Sequence, residues 1–156
     1  MLSSRIVSLL NQHRLRFFTT TDAANLSGLS PASASQALRR MAATGLVARL
    51  RQGVWQNRLA AGINPFEAVP FLRYPWPAYV SLYSALSEHG IIEEIPQVVY
   101  AVSPGRPGTF RTPAGVFHLH HLPTRLIWGF TVRHAGAASY PMAEPEKAFL
   151  DLCYLA

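Results

Sequence analysis

Between Ser30 and Arg40 the chain gathers side chains suited to hydrogen-bonding a nucleic acid: Ser33, Ser35, Gln36, Arg39 and Arg40. A glutamine amide matches the edge of adenine, and an arginine fork matches guanine or a phosphate. Small hydroxyls let a helix approach a polyanion closely. Two further cations, Arg49 and Arg51, alternate with Ala48 and Leu50, a spacing that predicts one shared strand face.

These groups need elements to hold them. Leu2, Ile6, Leu9 and Leu10 recur at helical spacing, and Phe17-Phe18 follows as an extended link. Thr20 or Thr21 is the expected cap of a second helix, with Ala23, Ala24 and Leu26 inward and Gly28 at its end. Ser30-Pro31 starts a third helix, serine as the cap and proline at the first helical position. This helix runs to about Thr44, where Gly45 stops it. Ala34, Ala37, Leu38 and Met41 fall on its inner face, leaving Ser33, Ser35, Gln36, Arg39 and Arg40 outward. Residues 46–51 alternate as a strand, Gln52-Gly53 turns, and Val54 to Asn57 returns. Helix, glycine turn, proline-started helix and basic hairpin is the layout of a winged helix-turn-helix, whose last helix enters the major groove of duplex DNA.

Charge agrees. Of 156 residues, 14 are basic and 8 acidic, for a net +6. Residues 1–58 hold eight arginines against Asp22 alone, a net of +7; the remainder carries −1. The excess is confined to the segment that reads as DNA-binding, the footprint of a polyanion partner. Apolar residues make up 49% and charged residues 14%, which excludes an intrinsically disordered chain. No apolar run is long enough for a membrane span or a signal peptide. Cys153 is the single cysteine, so no intramolecular disulfide forms, and a reducing cytoplasm is the expected compartment.

His118 and His120 share a strand face, with His121 on the other. Two imidazoles fall short of the three or four protein ligands of a zinc site. The expectation is a half-buried strand with Phe117 and Leu119 inward, and no metal. Glu144-Pro145-Glu146-Lys147 contains the acid-x-lysine spacing of some metal-dependent nucleases. Acids at the start of a proline-opened helix are equally explained by its dipole. No glycine-rich phosphate loop or nucleophile elbow is present. The expectation is a non-enzymatic protein without a cofactor.

Proline marks the boundary. Only Pro31 precedes residue 64, whereas Pro65, Pro70, Pro75 and Pro77 cluster among Phe66, Phe71, Tyr74 and Trp76. The expected organisation is a winged helix at 1–61, a proline-aromatic connector at 62–77, and a small mixed domain at 78–156. In the last, Tyr79 to His89 reads as a helix ending at Gly90. Its residues 79, 82, 83 and 86 form the inner face, with Ser81, Ser84 and Ser87 elsewhere. Val98, Tyr100 and Val102 alternate as a strand, Gly105 to Gly108 turns, and Val116 to Leu122 alternates again. Leu126 to Val132 is an apolar run, and Pro145 opens a final helix with Ala148, Phe149, Leu152 and Leu155 on one face. The fold class is α+β, a winged helix-turn-helix followed by a small mixed α/β domain.

Three stretches carry a family resemblance: Ala42-Ala43-Thr44-Gly45-Leu46-Val47 closing the winged helix, Tyr79 to Leu86 followed by His89-Gly90-Ile91-Ile92-Glu93-Glu94, and Ala143 to Leu152. Together they resemble the AbiEi-type antitoxins and transcriptional regulators of bacteria. The resemblance implies a repressor that binds repeats upstream of its own two-gene operon. The partner gene of such an operon encodes a nucleotidyltransferase-like toxin, and the second domain is associated with antitoxin activity. Recognition-helix positions correspond to Ser33, Gln36, Arg39 and Arg40. Family members run on beyond the Pro-Glu-Lys helix, so this sequence, ending at Ala156, reads as a fragment or a short relative. The usual hydroxyl cap before Pro145 is here Glu144. The expected partner is double-stranded DNA, with no membrane, and a homo-oligomer is compatible with the sequence. The competing reading is a protein-interaction or RNA-binding adaptor that uses the winged helix as a scaffold.

Overall fold

The computed structural model describes residues 2–156 and divides into two compact units, Met1–Ile63 and Asn64–Ala156. In the first, α1 (Leu2–Gln12) is followed by β1 (Phe17–Thr19), α2 (Thr20–Ser27), α3 (Pro31–Ala43), β2 (Val47–Arg51) and β3 (Val54–Asn57). The strands form an antiparallel sheet in the order β1-β3-β2. Phe17-Phe18 is therefore a third strand and not a link: both rings are buried, and Phe18 faces Trp55 across the ladder.

Thr19, rather than Thr20 or Thr21, caps α2. Its Oγ1 accepts from Asp22 N–H at 3.0 Å, and Asp22 returns the bond to Thr19 N–H at 2.9 Å, a reciprocal capping box. Thr20 Oγ1 instead accepts from Trp55 Nε1 at 2.9 Å, tying the helix start to β3. Gly28 closes α2 at φ +74, a left-handed conformation that glycine adopts without steric cost. Ser30 caps α3 through Ser33 N–H. The inner face of α3 is the expected one, with Ala34, Ala37, Leu38 and Met41 all buried. Ala37, Leu38 and Met41 pack with Ile6, Leu10, Phe18, Ala23, Val47 and Trp55 into one apolar core.

The second unit opens with a 3-10 helix, Pro65–Phe71, started by an Asn64–Glu67 capping box. Then come β4 (Tyr79–Val80), α4 (Leu82–Glu88), β5 (Val99–Ser103), β6 (Gly108–Thr112), β7 (Gly115–His121), a 3-10 turn Thr124–Leu126, β8 (Phe130–Ala135), β9 (Ala138–Ala143) and α5 (Pro145–Leu155). The sheet is mixed, in the order β6-β7-β5-β4-β9-β8.

Several local expectations give way here to tertiary context. The segment 79–89 is not one helix: Tyr79-Val80 is a strand wedged between β5 and β9, and the helix begins only at Leu82. Both residues of that strand are wholly buried, and an aromatic and a β-branched residue suit a strand flanked on both sides. The region expected to turn at Gly108 begins β6, and β9 arises where no strand was anticipated. The apolar run 126–132 splits between the 3-10 turn and β8.

Helix α5 departs most. Its buried residues are Lys147, Ala148 and Asp151, while Phe149, of the expected inner face, is 57% exposed. Burial here follows a polar contact set instead of the apolar stripe. Lys147 and Asp151, 4% and 2% exposed, form an ion pair one helical turn apart. Tyr79 OH donates to Asp151 Oδ2 at 2.9 Å, and Ser81 Oγ donates to the same oxygen at 2.7 Å. Lys147 Nζ also donates to Tyr79 OH at 3.1 Å and to the Leu126 carbonyl at 2.8 Å. It lies 4.8 Å from the centre of the Trp128 ring. Burial, and then the Asp151 carboxylate, push the Tyr79 phenol far above its ordinary range, so Tyr79 stays protonated as a donor. Gly129, at φ +75, passes so close that an added Cβ would lie 2.8 Å from Lys147 Cγ.

Ser81 and Ser84, expected on a face other than the inner one, are both buried. Ser81 makes no cap bond to α4 because its hydroxyl serves Asp151, and Ser84 Oγ accepts from Tyr100 N–H at 2.8 Å. Glu144 likewise makes no side-chain cap bond; its Oε1 accepts from Thr131 Oγ1 at 2.9 Å.

Candidate nucleic-acid interface

With about 100° of rotation per residue, Gln36 and Arg39 stand opposite the buried stripe of α3. Ser33 and Arg40 run along one flank and Ser35 along the other. Ser33, Gln36, Arg39 and Arg40 are exposed, and Ser35 is half-buried. Ala32 and Ala43 complete the outermost row beside Gln36 and Arg39, and both are exposed. Neither alanine is a candidate contact by its residue type. They leave Gln36 and Arg39 as the tallest groups of a helix about 20 Å long. Ser33 Oγ accepts from Ser30 Oγ at 3.0 Å, which fixes the first turn.

The hairpin carries the remaining two candidates. Arg49 is exposed opposite Trp55, and Arg51 is half-buried opposite Val54. The register shifts between them, so the ladder holds a bulge at Leu50. A bulge interrupts strict alternation, and the shared face inferred from spacing does not follow from alternation here. Both arginines nevertheless stay out of the core while Leu50, between them, is buried.

Asp22, the one acid of this unit, is spent on the α2 capping box. Arg16 is held by the Gly62 carbonyl at 2.9 Å. Arg5, Arg14 and Arg58 are exposed; they entered the sequence reading only as charge. His118, His120 and His121 sit in the other unit. His118 and His120 lie on one face of β7, and His120 is held below the ordinary imidazole range by partial burial and then by His118. Among the described residues no group of three or more histidine, cysteine or acidic side chains is placed to hold a metal. Lys147 turns into the core towards Asp151, whereas Glu146 is exposed, so the acid-x-lysine pair does not converge.

Three helices and a hairpin wing, with the last helix presenting an amide and guanidinium face, define a winged helix-turn-helix domain, followed here by a mixed α/β unit. Residues 4–58 match the family described as "Transcriptional regulator, AbiEi antitoxin", and this first unit is similar to that family. No curated protein matches the chain. No helix among the described residues is long and apolar enough to cross a membrane.

Proposed function

We propose that the protein is a sequence-specific repressor that binds duplex DNA upstream of its own operon, in the cytoplasm. The observation that carries this reading is the coincidence of the whole positive excess, +7, with the unit whose α3 exposes Gln36 and Arg39 opposite its core. In this reading α3 lies in the major groove. Gln36 reads adenine, Arg39 reads guanine, and Arg40 clamps a phosphate on the flank. Ser33 and Ser35 approach the backbone near the helix start. Arg49 and Arg51 of the wing follow an adjacent phosphate run or the minor groove. General affinity then comes from the arginines as a set, and specificity from the first turns of α3.

Under the same reading, the neighbouring gene encodes a nucleotidyltransferase-like toxin whose action this protein opposes. A reporter placed behind the DNA upstream of the gene tests the repressor function. Expression of the protein is expected to silence the reporter, and an Arg39→Ala/Arg40→Ala variant, produced at the same level, is expected to restore it. Equal reporter output with and without the protein would refute repression.

A further inference from the structure

The sheet of the second unit has two unlike faces. One carries Val80, Ala101, Ser103, Phe117 and Leu119, all buried, and the Pro65–Phe71 helix packs there, with Phe66 edge-on to Tyr140. On the other face, Tyr79 and Val102 are buried, but the cover stops beyond them. Tyr100, Val116, His118 and His120 are half-buried, and Thr109 and Arg111 are exposed. Register places these side chains together: Tyr100 beside His118, His118 opposite Thr109, and Val116 opposite Arg111.

The rings form one group. The Tyr100 centroid lies 5.5 Å from His118 and 6.3 Å from His120, the second at an interplanar angle of 18°. Tyr83 of α4, itself exposed, meets Tyr100 edge-on at 5.3 Å. Tyr83, Tyr100, Ile92, Pro96 and Glu94 line a shallow hollow beside the group.

A solvated sheet face ordinarily carries polar, non-planar side chains. This one carries planar rings on neighbouring strands, half out of water, with a guanidinium at one end and a carboxylate at the other. Two imidazoles alone are too few to hold zinc. An apolar peptide would need aliphatic pockets, whereas rings and polar groups outnumber the aliphatic Val116 and the neighbouring Ile92 here. Flat rings gain most from another flat, weakly hydrated surface, which an unpaired nucleobase provides and a base-paired duplex does not. Glu94 can accept from the exocyclic amine of a base, and it repels phosphate, which directs the backbone towards Arg111.

We propose that this open face binds unpaired nucleotides of a single-stranded nucleic acid, with bases stacking on Tyr100 and His118 and a phosphate at Arg111. The site is separate in sequence from the α3 surface and stands independently of the repressor reading.

The test is fluorescence anisotropy of the full chain with labelled 12-nucleotide oligoadenylate, its deoxy counterpart, and a duplex of the upstream DNA. Tyr100→Ala/His118→Ala is expected to weaken single-strand binding by about tenfold or more and to leave duplex binding unchanged. Tyr100→Phe is expected to retain single-strand binding. Arg111→Glu, at an exposed position that leaves the core alone, is expected to lose it. Preference for the ribo strand would identify RNA as the source, and equal binding would identify any single strand; both support the site. The proposal is overturned if the wild type binds neither strand. It is also overturned if Arg111→Glu binds as the wild type does, or if single-strand binding is lost only with Arg39→Ala/Arg40→Ala.

Discussion

Lys147→Met is expected to destabilise the second unit by about 3–5 kcal/mol, the range found when one partner of a buried ion pair is removed. The substitution keeps the length of the aliphatic stem but leaves the Asp151 carboxylate buried. Its remaining protein donors are Tyr79 OH and Ser81 Oγ. It also leaves the Leu126 carbonyl without the Lys147 donor. The cost is thus the desolvation of a stranded charge, more than the loss of one attraction. A double variant, Lys147→Met/Asp151→Leu, removes both charges and is expected to recover most of the loss. Urea denaturation followed by the fluorescence of Trp128, whose ring lies 4.8 Å from Lys147 Nζ, reads both effects. A single variant costing under about 1 kcal/mol would place the pair in the ordinary surface class.

The second large effect concerns the interface. Arg39→Ala is expected to weaken binding to the cognate duplex by roughly 10- to 100-fold, the discrimination carried by a good bidentate base contact. Binding to a scrambled duplex should change little. Arg40→Ala is expected to weaken both duplexes alike and to reduce the magnitude of the salt slope by about one, because a phosphate contact positions without reading sequence. The two arginines are adjacent in sequence and sit at different angles on α3, so the pair separates reading from clamping. Equal losses on both duplexes for Arg39→Ala would assign that residue to the backbone.

The first unit was legible because its signals are local. The Ser30-Pro31 start, Gly28 and the Ala34-Ala37-Leu38-Met41 stripe each act within a turn or two. They specify α3 and its exposed face without any tertiary contact. The cap of α2 lies one or two residues before the expected Thr20 or Thr21, because three threonines precede Asp22 and only pairing of β1 with β3 decides which of them leaves the helix.

The second unit was less legible because its decisive contacts are distant in sequence. Tyr79 and Ser81 lie about seventy positions from Asp151, and no periodicity reports such a meeting. Lys147 and Asp151 look like the polar face of an amphipathic helix, yet they are its most buried side chains after Ala148. The resemblance did hold a clue. The stretches Tyr79 to Leu86 and Ala143 to Leu152, quoted separately for it, meet at this buried polar network. His89, from the same resemblance, bridges likewise: its Nε2 lies 2.8 Å from the Ala143 carbonyl and its Nδ1 lies 3.2 Å from Arg133 Nη1. The carbonyl requires the proton on Nε2, which leaves Nδ1 to accept from the guanidinium.

Under the proposed function, the first unit recognises a particular duplex through α3, supported by its arginines. The most direct test of this recognition is the affinity of the full chain for the upstream duplex and for a scrambled duplex, measured across salt concentrations. Tight binding to the upstream duplex alone is expected, with a log–log salt slope on the order of −4 to −5, as about five phosphate contacts require. Equal, weak binding to both duplexes, or a slope near zero, would contradict it.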